Sequence, residues 1–278
     1  MIKIAIMIQA HKGFKQIKAL VDSLVCNNIY LFIHIDKKND KLYRQLLQHY
    51  KNSSNVILID NRVKVNWSGL SQVKATLNIM KTVYNYKINF DRVIFISGED
   101  IFLKTKEYLI EFFYKNRDKE YLDFSDIKNY AWRLKQYNFF TECRYNRSFI
   151  IRALQKILRV FQNTFFINRT NLDNTILYKG SQWFNITGSA LKYIIEKEQD
   201  IDKFKFTACS DEHFFQIMLL NSKFKNSIIN NNLRYIIWED NKSSPKYLSK
   251  EELEEARKSE NIFARKVSEN ISLKFIQG

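Results

Sequence analysis

Two carboxylates stand at the head of an apolar stretch, Asp211 and Glu212 in Cys209-Ser210-Asp211-Glu212-His213-Phe214-Phe215-Gln216-Ile217-Met218-Leu219-Leu220. Ser210 has the chemistry of an N-cap, and acidic residues suit a first helical turn, where the dipole favours negative charge. Phe214, Phe215, Ile217, Met218 and Leu219 are apolar nearly all round, which predicts a buried helix. A carboxylate at the mouth of such a helix suits general-base work, because burial raises its proton affinity toward the working pH. Capping is the commoner use of such a pair, and the stretch by itself leaves both readings open.

A second acidic pair, Glu99-Asp100, follows Ser97-Gly98 at the end of an apolar run. Adjacent carboxylates do not face one ion as readily as alternate ones in an extended chain, so no metal is expected there. Arg265 and Lys266 form an adjacent cationic pair that, taken alone, reads as solvated surface of a basic chain. Between these points Trp132-Arg133, Tyr137, Glu142 and Arg144 interleave rings and charges. That composition suits stacking on sugars and bonding to hydroxyls, and it equally suits an ordinary surface.

These groups need a frame. Ile2–Ile8 is an apolar run of strand length, Phe14–Val25 has apolar residues at helical spacing, and Tyr30–Ile35 is a second strand ending at Asp36. Strand, helix and strand in so short a span make a βαβ unit and a parallel sheet. Ligands of such sheets bind at strand C-termini, which places Gln9, His11 and Asp36 at a site edge. Val56–Ile59 predicts a third strand, 71–86 a helix, and Arg92–Ile96 another buried strand. No GxGxxG is present, which disfavours a dinucleotide-binding fold.

The chain has 278 residues, is 45% hydrophobic and carries a net charge of +16, with one Pro and six Gly. That is enough for a real core, with no Pro/Gly-rich linker. So basic a balance predicts an anionic partner. Cys26, Cys143 and Cys209 have no CxxC spacing and read as reduced thiols, not a disulfide framework or a zinc site.

Several short segments resemble, in order, the family of core-2/I-branching β-1,6-N-acetylglucosaminyltransferases and peptide O-xylosyltransferases, glycosyltransferase family 14. They are His34-Ile35-Asp36-Lys37-Lys38, Trp67-Ser68-Gly69, Ser97-Gly98-Glu99-Asp100, Gly180-Ser181-Gln182-Trp183-Phe184, Asp211-Glu212-His213-Phe214-Phe215, Asn231-Asn232-Leu233-Arg234 before Trp238, and Phe263-Ala264-Arg265-Lys266. The late segments resemble the xylosyltransferase branch most, although Gln182 stands where that branch tends to carry an acid. The resemblance implies an α/β fold of the GT-A type in one catalytic domain over 1–278. A nucleotide-binding half would cover about 1–105 and an acceptor-facing half about 106–278.

It further implies a bacterial member that inverts the anomeric centre and uses no metal or other cofactor. The donor expected is UDP-N-acetylglucosamine, with UDP-xylose as the alternative. Glu212 is then the base, Arg265 and Lys266 hold the diphosphate, Asp36 helps hold the uridine, and Gln9, His11 and Trp67 border the donor. Gly98, Glu99, Asp100, Gln182, Asp211, Arg133 and Tyr137 are expected at the substrate, with Trp183 and Trp238 as sugar platforms. The acceptor expected is a carbohydrate or lipid-linked precursor of a surface glycan. The alternative of another class, a basic nucleic-acid-binding protein, predicts cations clustered in one stripe with interleaved aromatics; here they are spread along the chain, so nucleic acid is not the expected partner.

The segment from Ser148 to Arg169 sets Phe149, Ile150, Ile151, Leu154, Ile157, Leu158, Phe161 and Phe165 among Arg152, Lys156 and Arg159, with no acid. It either packs on the core or lies on an anionic membrane. The start at Met1-Ile2-Lys3 is too short for a span and lacks a cleavage site, so the expectation is a cytoplasmic enzyme, peripheral at the inner membrane face if that segment docks.

Overall fold

The computed structural model describes residues 2–170, 172, 175–240, 242 and 244–277. Its first half follows the apolar periodicity closely: β1 (Ile4–Ala10), α1 (Phe14–Leu24), β2 (Ile29–Ile35), α2 (Asp40–Tyr50), β3 (Val56–Leu58), α3 (Ser71–Tyr84), β4 (Arg92–Ser97) and β5 (Ile101–Phe102). Next come α4 (Lys106–Lys115), β6 (Glu120–Leu122), β7 (Ser125–Asp126), α5 (Trp132–Lys135), α6 (Phe149–Thr164), β8 (Tyr178–Lys179), β9 (Phe184–Thr187) and α7 (Gly188–Glu196). The chain continues through α8 (Phe214–Leu220), β10 (Ile228–Asn230), β11 (Arg234–Ile236), α9 (Lys250–Lys258), β12 (Phe263–Arg265) and α10 (Glu269–Gln277).

Seven strands form the central sheet in the order β10-β6-β9-β4-β1-β2-β3. All neighbours are parallel except β9, which runs antiparallel between β4 and β6. Successive side chains of a strand point to opposite faces, and here both faces are covered. Ile4, Ile6 and Ile8 enter one core with α1 and α2, whereas Ala5 and Met7 enter the other with α3, α7 and α8. Two covered faces explain why these strands read as continuous apolar runs and not as alternating ones.

Parallel register aligns the strand ends. Gln9 of β1 lies opposite His34 of β2 and Ser97 of β4, so His11, Asp36 and the turn 97–100 leave one edge of the sheet together. Beyond that edge β5 pairs antiparallel with β12, Ala264 opposite Ile101 and Phe263 opposite Phe102. Continuing that register past the ladder sets Arg265 opposite Asp100 and Lys266 opposite Glu99. A third core under this small sheet, with Leu248, Leu253, Ala256 and Phe275, fixes its position.

Helix α6 does not take the core-packing alternative. Gln162 is its buried residue, while Phe149, Ile150, Leu154, Ile157 and Phe161 are exposed. The three cysteines are free, in line with their spacing. No helix among the described residues is long and apolar enough to cross a membrane.

Candidate active site

The register argument places four charges in contact. Arg265 Nη1 lies 3.3 Å from Asp100 Oδ1, and Lys266 Nζ lies 3.0 Å from Glu99 Oε2. Glu99 also receives Lys12 Nζ at 3.0 Å and the Tyr247 hydroxyl at 2.7 Å. Burial alone would raise its carboxyl, but the donors Tyr247, Lys266 and Lys12 outweigh it and hold the group down to about 2. Asp100 is fully buried and accepts the Ser97 hydroxyl at 2.6 Å. Behind it Arg234 is buried against the Phe95 carbonyl at 2.6 Å, and burial lowers its guanidinium to about 9. The Arg265 guanidinium rests 4.0 Å above the Trp183 ring, and its Nε is buried without a hydrogen-bond partner. Its Nη1 is close enough to Asp100 for an ion pair but is not aligned for a hydrogen bond.

Gly98 permits the tight exit from β4, since a Cβ there would stand 2.7 Å from that of Ala10. Asp36 accepts the backbone N–H of Lys38 at 2.9 Å and sits 3.4 Å from its ammonium. His11 is exposed beside these groups, whereas the Gln9 amide is taken up internally by Gln72 and Thr76. His34 is part of the frame: its Nε2 accepts the Val63 N–H at 2.9 Å, and burial lowers it to about 4, so the ring is neutral.

The turn carrying Glu212 differs from the expected helix start. Ser210–Glu212 is a 3-10 turn and α8 begins only at Phe214. Ser210 is no cap, since its hydroxyl is buried without a partner. The cause is at Cys209, whose backbone is left-handed (φ 51°) and whose N–H donates to the Ser68 carbonyl at 2.9 Å. Ser68 is left-handed too (φ 67°), a conformation that non-glycine residues hold only when their surroundings enforce it. The enforcing group is Glu142, which accepts from Ser71 N at 2.6 Å, Ser71 Oγ at 2.8 Å and Asn66 Nδ2 at 3.0 Å. Glu142 thus anchors the loop before α3, its carboxylate taken up by Ser71 and Asn66.

Pinned this way, Glu212 turns its side chain outward, half-buried. Its Oε2 receives Arg133 Nη1 at 2.6 Å, with Lys179 Nζ at 3.8 Å, and both cations lie over the Tyr130 ring. No donor among the described residues reaches Oε1. Asp211 beside it is buried with Oδ1 unpartnered; burial, then the neighbouring Glu212 charge, raises its carboxyl to about 7. His213 donates from Nδ1 to the Tyr178 carbonyl at 2.9 Å and is lowered by burial to about 4, hence neutral. Burial raises the Cys209 thiol to about 12, so it is no nucleophile.

One short segment joins the two groups. Gly180 N donates to the Glu212 carbonyl at 2.8 Å, Lys179 reaches the Glu212 carboxylate, and Trp183 lies under Arg265. Lys179 and Trp183 are four residues apart, an extended span of at most about 14 Å between their Cα atoms, so one short segment touches both Glu212 and Arg265.

The remaining expected residues fall as follows. Trp183 is buried, packed on Phe95 and covered by Arg265, so its ring supports the cation and is not a free sugar platform. Trp238 is exposed just past the end of β11, the strand that pairs with the one carrying Arg265. Gln182 is half-buried between Ser181 and Trp183. Trp67 lies in a cleft of about 720 Å³ with Trp132, Arg147 and α6, whose lining includes none of Asp36, Glu99, Arg265 or Lys266. Tyr137 stacks on Phe139 and packs tilted against Phe206. Lys12, Lys179 and Tyr247 escaped the sequence reading. Only Lys12, next to His11 at a strand end, carried a signal that could have found it. Among the described residues no three His, Cys, Asp or Glu side chains converge as metal ligands.

Comparison with known proteins finds relatives at low identity. The chain is similar to Xylosyltransferase 2 of Rattus norvegicus, 27% identical over 247 residues, covering 86% of this chain and 27% of that protein. It is similar also to Xylosyltransferase 2 of Homo sapiens (26% over 246 residues, 85% and 27%) and to Xylosyltransferase 1 of Rattus norvegicus (23% over 246 residues, 85% and 28%). The chain therefore spans about a quarter of the length of these relatives. Among solved structures, mouse xyloside xylosyltransferase 1 in its apo form matches with a TM-score of 0.34 and 12% identity, over 82% of this chain and 84% of that one. A model of the family described as Core-2/I-Branching enzyme matches residues 4–259. The mostly parallel α/β sheet is the GT-A-type fold expected of that family, and the chain belongs to it.

Proposed function

We propose that this chain transfers a sugar from a UDP donor to an acceptor hydroxyl with inversion and without a divalent metal. The observation that carries the reading is the cation pair Arg265 and Lys266, seated on Asp100 and Glu99 at the sheet edge. Protein cations there take up the carboxylates that would otherwise attract a metal, and Arg265 keeps a buried Nε–H unsatisfied. Charge developing on a departing diphosphate is met by Arg and Lys as well as by an ion.

In this reaction Glu212 Oε1 accepts the acceptor's hydroxyl proton while that oxygen attacks the anomeric carbon. The bond to UDP breaks on the opposite face, and its electron pair leaves with the diphosphate. Arg133 and Lys179 hold the other carboxylate oxygen and so aim the base. Asp36 and His11, at the ends of the adjacent strands, face the nucleoside end.

UDP-N-acetylglucosamine is the donor expected first. UDP-xylose is the second reading, favoured by relatives named xylosyltransferases. A donor screen that counts UDP release, with and without chelator, tests all of this. Release from a UDP-sugar undiminished by EDTA is the expected result; activity lost in EDTA and restored by Mn²⁺ refutes the metal-free part.

A further inference from the structure

Helix α6 leaves most of its large apolar side chains outside. The face turned to the protein body joins half-buried Ile151 and Leu158 to two amides: Gln162 accepts from Tyr137 N at 2.7 Å and donates to its carbonyl at 3.1 Å, and Gln155 donates to Asn138 Oδ1 at 3.1 Å. Ile150, Leu154, Ile157, Phe161 and Phe165 recur every three or four residues and form one stripe on the outer face. Their exposures run from 42% to 70%, and Phe149 and Phe166 at the ends reach 86% and 85%. Ser148 caps the helix through the Ile151 N–H, so the exposed stripe belongs to a well-formed element.

The charge around the stripe has one sign. No Asp or Glu occurs from Cys143 to Leu172, whereas Arg144, Arg147, Arg152, Lys156, Arg159 and Arg169 do. Lys156 stands seven residues after Phe149 and four before Val160, so it shares a helical face with these two exposed apolar side chains. Arg147 and Arg159 stack on Trp67 and Trp132 at 4.0 and 4.2 Å. No carboxylate among the described residues pairs with Arg147, Arg152, Lys156 or Arg159. A second copy of this +16 chain would bring the same cations face to face, which charge opposes. An anionic lipid surface satisfies both halves of the pattern, taking the apolar stripe into its acyl boundary and the cations at its phosphates.

We infer that α6 docks the protein on an anionic bilayer, with Ile150, Leu154, Ile157, Phe161 and Phe165 inserted and Arg147, Arg152 and Lys156 at the lipid phosphates. The test is co-sedimentation of the full chain with vesicles of phosphatidylcholine, with and without phosphatidylglycerol. Binding should need the anionic lipid and should fall on going from about 0.1 M to about 1 M salt, as the screening length drops from roughly 10 to 3 Å. Ile157→Glu with Phe161→Glu should lower partitioning about tenfold or more, and Arg152→Gln with Lys156→Gln should lower it on anionic vesicles alone. These side chains are exposed, so an unchanged melting temperature and unchanged UDP release on a soluble acceptor accompany the expected result. Equal binding to neutral vesicles, a Glu variant that pellets like the parent, or a lipid-free dimer dissolved by that variant overturns the inference.

Discussion

Arg133 Nη1 stands 2.6 Å from Glu212 Oε2, a charge-assisted contact between residues 79 apart in sequence. It leaves one carboxylate oxygen open and fixes where that oxygen points. Glu212→Gln keeps the shape and removes the proton acceptor. Transfer should fall by about 10²–10⁴-fold, the usual worth of positioned proton transfer, with UDP affinity nearly unchanged. Single-turnover kinetics beside calorimetric UDP binding decide it; a variant keeping more than about a tenth of the parent rate excludes Glu212 as base.

The two cations at the sheet edge should separate under mutation. Lys266 is partly exposed, and Glu99 keeps Lys12 and Tyr247 without it. Lys266→Ala should cost less than about 1 kcal/mol of stability, yet weaken UDP about tenfold while sparing uridine. Arg265→Ala strands buried Asp100 and uncovers Trp183, and should cost about 3 kcal/mol in denaturant unfolding. Equal losses for UDP and uridine in Lys266→Ala would remove it from the diphosphate.

Asp211 predicts a pH signature in stability. Its folded carboxyl is raised to about 7, above the ordinary unfolded value, so between about pH 4 and 7 the folded state binds more protons than the unfolded one. Stability from this group is present below pH 4 and lost as pH rises through 7. Asp211→Asn should remove that slope and, at pH 8, leave the variant more stable by on the order of 2–4 kcal/mol relative to their difference at pH 4. Urea unfolding at both pH values measures it, and parallel profiles for parent and variant would contradict the burial of a carboxyl there.

Two glycines mark where the frame holds the turn that carries Glu212. A Cβ at Gly180 would fall 2.0 Å from the Asp123 carbonyl oxygen, which is backbone and cannot move aside. At Gly69 it would meet Glu142 Oε1 at 2.6 Å, a carboxylate tied by its bonds to Ser71 and Asn66. Gly180→Ala should destabilise by more than about 3 kcal/mol, and Gly69→Ala by about 1–3 kcal/mol with a loss of turnover through the Ser68–Cys209 contact. Thermal melts and initial rates report both, and an unchanged rate in folded Gly69→Ala would break that link.

How much of this the sequence disclosed depends on the range of the interaction. β1, α1, β2, α3 and β4 are local periodic patterns, and each lies within a few residues of its reading. Residues 97–100 and 263–266 were legible as motifs, but their meeting is a matter of antiparallel register across 160 residues of chain. For Glu142 the sequence left sugar contact and ordinary surface open, because nothing local says that it reaches Ser71. The late start of α8 has the same origin: propensity at Ser210 favours a helix, and the distant Ser68 overrides it. Trp183 looked like a platform since exposure leaves no trace in a single tryptophan. In α6 the amphipathic period was plain, but which face turns inward is decided by Tyr137 and Asn138, outside the helix.

Strand β9 has a consequence for the order in which the chain can become ordered. Its residues Arg92-facing Thr187 and Tyr121-facing Asn185 close the sheet on both sides, so β6 has no route to β4 except through it. During synthesis the first hundred residues can gather β3, β2, β1 and β4, but the flank of β4 stays an open row of unpaired amides until residue 187 has emerged. At about 5–20 residues per second, that exposed interval lasts roughly 5–20 s, and it is the period when a newly made chain is most prone to pair with a neighbour instead of itself.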